Sequence, residues 1–137
     1  MIKSIAHICI LTNDLDATEK FYCYGLGLTR KFDFLRDGKV VGYYLQINEH
    51  NYIEVFLTDS VSSEEESRIS HFCLEVEDIN RTIDKIRECG IDITDPKMGC
   101  DKSWQAWLTD PNGIKIELHE YTEESCQILG NDCVVDF

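Results

Sequence analysis

The sequence is short of positive charge: 13 Lys and Arg stand against 26 Asp and Glu, a net charge of −13 over 137 residues. That balance excludes nucleic acid and anionic membrane surfaces as partners, because both demand cations to neutralise phosphates. Long hydrophobic runs are missing too. None approaches the roughly 18 apolar residues of a membrane span, and Met1-Ile-Lys-Ser does not lead into a secretory signal peptide. The expectation is a cytoplasmic protein. Seven cysteines are present, an odd number, but no CxxC pair. This argues for reduced thiols over a disulfide framework or a cysteine-built zinc site. Cys9 and Cys73 fall within apolar strands, where a thiol reads as a small buried hydrophobe.

What is present is a repeat. His7-Ile-Cys-Ile-Leu-Thr-Asn-Asp-Leu-Asp-Ala-Thr18 and His71-Phe-Cys-Leu-Glu-Val-Glu-Asp-Ile-Asn-Arg-Thr82 share His, Cys, Asp and Thr at a constant offset of 64. A period near half the chain points to a duplicated module. The expected organisation is a first module over 1–58, an acidic linker over 59–68, a second module over 69–121 and a tail over 122–137. The linker expectation rests on Asp59-Ser-Val-Ser-Ser-Glu-Glu-Glu-Ser-Arg68, which is polar and poor in apolar groups.

Each copy reads as βαβββ. In the first, a strand over 2–11 precedes a helix capped by Asp14 and closed at Gly25 and Gly27. Strands follow over 28–35, 40–47 and 52–57, with Asp37-Gly38 as a hairpin turn. In the second, a strand over 69–76 precedes a helix capped by Asp78, with Ile79, Ile83 and Ile86 on one face and Gly90 as the stop. A short strand is expected over 91–95, a loop over 96–100, and strands over 104–109 and 114–120 joined by Asp110-Pro-Asn-Gly113. The pattern fades after Thr122.

Strand parity then sorts the chemistry. Ile8 and Ile10 oppose His7, Cys9 and Leu11, while Ile53, Val55 and Leu57 oppose Tyr52, Glu54 and Phe56. Phe72, Leu74 and Val76 oppose His71, Cys73 and Glu75, while Ile114, Ile116 and Leu118 oppose Lys115, Glu117 and His119. Each copy thus sets one His on its first strand and one Glu on its last, 47 residues apart in the first copy and 46 in the second. If the two sheets curve toward each other, the four groups converge. Two imidazoles and two carboxylates suit Zn²⁺, Ni²⁺, Co²⁺, Mn²⁺ or Fe²⁺. Singly, each residue reads as a solvated polar group on a half-buried strand. The matched repetition is what singles them out.

These residues resemble the vicinal-oxygen-chelate superfamily, the glyoxalase/bleomycin-resistance/extradiol-dioxygenase group, over residues 3–121. The resemblance lies in His7, in Asp14-Leu-Asp-Ala-Thr-Glu-Lys-Phe-Tyr22 with Gly25-Leu-Gly-Leu28, in His71, and most specifically in Asp110-Pro-Asn-Gly-Ile-Lys-Ile-Glu117-Leu. It implies an α+β fold of two tandem βαβββ modules forming a curved, barrel-like mixed sheet around a divalent metal. The implied ligands are His7, Glu54, His71 and Glu117, with Glu117 or Glu54 as the general base. A carboxylate at Glu54 is similar to the four-ligand pattern of lactoylglutathione lyases (glyoxalase I). The resemblance also implies a glutathione-binding Arg four residues after the first ligand, where this sequence has Leu11.

The expected function is therefore a metal-dependent lyase or isomerase that moves a proton next to a carbonyl of a small-molecule substrate. Trp107 is a candidate pocket residue, and a homodimer is expected from the sheet edges. The alternatives are an extradiol dioxygenase, epimerase or thiol transferase of the same superfamily, or a drug-binding resistance protein without catalysis.

Overall fold

A computed structural model describes residues 5, 7–59, 71–130 and 133. The chain divides into two compact units, Met1–Ser67 and Arg68–Phe137. The acidic run expected as a linker lies outside the described residues, apart from Asp59.

Unit 1 is a four-stranded mixed sheet in the order β1-β4-β3-β2, from β1 (His7–Thr12), β2 (Thr29–Arg36), β3 (Lys39–Gln46) and β4 (Tyr52–Leu57). The outer strand β1 runs parallel to β4, and the other pairs are antiparallel. Asp37 and Gly38 both take positive φ, as the two-residue hairpin between β2 and β3 requires. Alternation decides the faces: Ile10, Ile53, Val55, Tyr43 and Leu45 are buried. Helix α1 (Leu15–Glu19) begins where Asp14 accepts a hydrogen bond from the Ala17 amide at 2.9 Å. It widens into a π-helical stretch, Lys20–Gly25, which buries Phe21 and Tyr22. Thr12 joins strand to helix through a buried hydroxyl contact with Thr18 at 2.9 Å.

Tyr43 ties the sheet to the helix. Its ring is fully buried, and its hydroxyl donates to the Leu15 carbonyl at 2.8 Å. Burial is the main cause pushing that phenol well above its ordinary value. Tyr43→Phe deletes this buried hydrogen bond, so a loss of about 0.5–1.5 kcal/mol is expected in chemical denaturation. An unchanged midpoint would show that the helix start does not depend on this bond.

Unit 2 repeats the plan in the order β5-β8-β7-β6, with β5 (Phe72–Glu75), β6 (Lys97–Met98), β7 (Trp104–Thr109) and β8 (Lys115–Glu120). Again the first and last strands are parallel. Helix α2 (Ile79–Glu88) is capped by Asp78, which accepts from the Arg81 amide at 2.9 Å, and it buries Ile79, Ile83 and Ile86. The Glu120 carboxylate adds a second anchor, accepting from the Ile79 amide at 2.7 Å. Asp110 builds the β7–β8 turn by accepting from the Asn112 and Ile114 amides, both at 2.8 Å. Gly113, at φ 82°, completes it. After β8 a short helix α3 (Cys126–Leu129) ends on the left-handed Gly130.

The segment before β7 differs from expectation. Residues 91–95 form only one bridge, Ile93 to Leu108, and the strand lies at Lys97–Met98, within the run expected as a loop. Thr94 is the reason. Its amide donates to the Trp107 carbonyl at 3.0 Å and its hydroxyl accepts from the Trp107 amide at 2.9 Å, so a side chain takes the place of ladder backbone. Pro96 has no amide to donate, and pairing resumes after it. Both units are thus open mixed sheets with few helices, an α+β architecture in which neither four-stranded sheet closes on itself.

Candidate metal centre

The parallel pairing of first and last strands is what brings the chemistry together. In unit 1 Cys9 lies opposite Glu54, and in unit 2 Cys73 lies opposite Glu117. The two registers are the same. Two residues earlier in each copy comes its histidine, His7 as the first residue of β1 and His71 immediately before β5. His7 Nε2 comes within 3.7 Å of Glu54 Oε2, and His71 Nε2 within 3.4 Å of Glu117 Oε2. Two donors on one ion, each about 2.0–2.2 Å from it, are themselves roughly 3–3.5 Å apart. The His71–Glu117 pair therefore fits one edge of a divalent metal's coordination shell, and the His7–Glu54 pair stands slightly wider than that edge. His7 belongs with Glu54 in one unit, and His71 with Glu117 in the other.

The third strand supplies a neighbour at the same register in both units. Tyr44 lies opposite Glu54, and Trp107 lies opposite Glu117. Tyr44 Oη is 3.0 Å from His7 Nδ1. With Nδ1–H donating to that hydroxyl, His7 Nε2 presents its lone pair toward Glu54, the orientation a ligating imidazole needs. Trp107, half-buried, meets the His71 ring edge-on at 4.9 Å. The sequence pattern pointed to Trp107 and passed over Tyr44, whose role depends on a cross-strand register.

The two carboxylates are not equivalent. Glu54 is half-buried, and around it Phe32, Phe34, Tyr44, Tyr52 and Phe56 stack on one another with centroids 4.5–5.0 Å apart in the closest pairs. Glu117 is buried, and so is every residue of β8 from Ile116 to His119, on both faces. Charged groups are seldom this buried unless they are paired. Where unit 1 has Phe56, unit 2 has His119, whose Nε2 lies 3.3 Å from Glu117 Oε1 and 3.8 Å from Asp101 Oδ2. Asp101 is fixed by the Gln127 amide at 2.6 Å and the Ser103 backbone at 3.2 Å. Burial alone would raise the Asp101 carboxyl, but these hydrogen bonds outweigh it and hold the group below its ordinary value.

The thiols correct one expectation. All seven cysteines are free, but Cys9 and Cys73 are exposed rather than buried. They share the face of the histidines and carboxylates, since apolar sequence neighbours say nothing about which side of the strand a residue takes. Partial desolvation, then the hydrogen bond to Glu54 and its charge, push Cys9 up to about 11. Desolvation, then the charge of Glu117 and a hydrogen bond to it, push Cys73 up to about 12. Both thiols are therefore protonated at neutral pH when no cation is bound.

No helix among the described residues is long and apolar enough to cross a membrane. The family model described as Glyoxalase/Bleomycin resistance protein/Dioxygenase superfamily matches residues 4–118. An Arabidopsis thaliana protein named "Probable lactoylglutathione lyase, chloroplastic" is 28% identical over 93% of this chain, which spans only 39% of that relative. A Synechocystis protein named "Probable lactoylglutathione lyase" is 31% identical over 83% of this chain and 92% of its own length. Among solved structures, a glyoxalase family protein from Enterococcus faecalis superposes with a TM-score of 0.73 at 27% identity, covering 86% of this chain and 98% of that one.

Proposed function

This chain belongs to the glyoxalase/bleomycin resistance protein/dioxygenase superfamily, and from that premise we propose that it is a metal-dependent lyase or isomerase of the glyoxalase I kind. Its substrate is a small molecule, and the reaction moves a proton next to a carbonyl. One observation carries the reading: each unit independently sets an imidazole Nε2 against a carboxylate oxygen, at 3.7 and 3.4 Å. A binding module has no need of that repeated pair. Nor does a dioxygenase with two histidines and one carboxylate need Glu54.

His7 with Glu54, and His71 with Glu117, would serve as ligands to a divalent ion, of zinc, nickel, cobalt, manganese or iron. When bound, such an ion supplies Lewis acidity toward adjacent substrate oxygens. The chain supplies the rest. Glu117, or Glu54 as its counterpart, takes the substrate proton at a carboxylate oxygen and returns it to the neighbouring carbon. Within unit 2 Trp107 sets an apolar ring against His71, and within unit 1 aromatic rings surround Glu54, so each carboxylate has apolar surface of its own that would keep water from a transferred proton.

Leu11, 54% exposed on the His7 side of β1, stands where an arginine for glutathione is implied. The test is therefore turnover of hemithioacetals made from glutathione and from other small thiols, before and after chelation. Activity that survives complete metal removal would refute the proposal.

We also propose that the protein works in the cytoplasm as a homodimer. Each open sheet ends on outer strands, β1 and β2 in one and β5 and β6 in the other, and unpaired edges favour association. Sedimentation should give twice the chain mass of 15.8 kDa. A monomer at micromolar concentration with metal bound would reject the dimer.

A further inference from the structure

We infer that unit 2 carries a second cation subsite, for a thiophilic divalent ion of the zinc or cadmium kind, held by Cys73, Glu117 and His119. The thiol sulfur, a carboxylate oxygen and an imidazole nitrogen of these residues all lie within 4.8 Å of one another. His71 stands apart from this group, against the other carboxylate oxygen of Glu117. Glu117 can thus serve both places, Oε2 toward His71 and Oε1 toward His119.

His119 is the residue that demands an occupant. It is 6% exposed, and its Nε2 is the buried side-chain nitrogen or oxygen left without a hydrogen-bond partner among the described residues. What faces that nitrogen is acid: Glu117 Oε1 at 3.3 Å and Asp101 Oδ2 at 3.8 Å. Neither contact has hydrogen-bond geometry, so an N–H there would serve neither acid well. A lone pair there can share a cation with Glu117. The 3.3 Å separation is again that of two donors on one ion with bonds of about 2.0–2.2 Å.

The donor types choose the ion. A thiolate, an imidazole and a carboxylate suit a borderline-to-soft metal and disfavour magnesium or calcium. Binding displaces the Cys73 proton to solvent as the sulfur takes the ion. Asp101 waits behind the site, held by Gln127, Ser103 and, at 3.3 Å, Gln105. The counterpart face of unit 1 has Cys9 opposite Glu54 but Phe56 in place of His119, so the subsite belongs to unit 2 alone. It does not rest on the proposed catalytic metal site, which can fail with this one intact.

The test is a cadmium titration of the full chain carrying His7→Ala and His71→Ala, followed by sulfur-to-cadmium charge-transfer absorption. That background removes both histidines of the proposed catalytic metal site and leaves the three donors in place. One saturating step is expected in the parent. Cys73→Ser should abolish it, and His119→Phe should weaken it by about 10-fold or more. Cys73 is exposed, so its serine variant leaves the core untouched. A parent without the step, or a step unchanged in either variant, overturns the inference.

Discussion

Glu117→Gln is expected to lower hemithioacetal turnover by roughly 10²–10⁴-fold, the contribution of a general base, while the protein retains part of its divalent metal. The amide keeps an oxygen where Oε2 now lies, 3.4 Å from His71 Nε2, so one donor edge survives in weakened form. What it loses is the ability to accept and return a proton. Glu54→Gln is the necessary companion, because Glu54 occupies the same register position in unit 1. The variant with the larger fall in kcat identifies the base. Equal and small losses in both would mean that neither carboxylate moves the proton.

His71→Ala and His7→Ala are expected to act one step earlier, on metal affinity. Each removes a proposed ligating nitrogen outright, so the loss should exceed the roughly 10–100-fold typical of second-shell changes, with turnover falling as a consequence. Both imidazoles are more than a third exposed and neither belongs to the buried core. Folding stability should therefore stay within about 0.5 kcal/mol of the parent, as for other surface changes. Competition with a chromogenic chelator reads the affinity directly. If either variant binds metal like the parent and is still inactive, its histidine acts on the substrate and not as a ligand.

Much of this was legible because the two halves repeat. β4 and β7 begin and end where alternation places them, and Asp14, Asp78 and Asp110 cap or turn the chain as their side chains allow. Parity plus the repeat singled out His7, Glu54, His71 and Glu117, and the structure pairs them within each unit. What lay beyond reach needed information that a single strand does not carry. Tyr44 meets His7 only through the β3–β4 register. The strand at Lys97–Met98 depends on Thr94 substituting for backbone in the ladder. His119 shared the Glu117 face by parity, but it has no counterpart in the first copy, so a search for repeated residues passes over it. Cys9 and Cys73 were misjudged for the opposite reason: they do repeat, but their apolar neighbours suggested burial.

The central claim is that the proposed His–Glu pairs bind the divalent metal on which turnover depends, and reconstitution tests it most directly. The chain is stripped of metal, then restored with nickel or cobalt while hemithioacetal turnover is followed, in the parent and in His71→Ala. The account predicts no turnover when stripped, recovery that saturates with added metal in the parent, and none in the variant at the same concentration. Turnover unaffected by stripping, or a metal-free protein that binds its small-molecule ligand tightly and never converts it, would contradict the account.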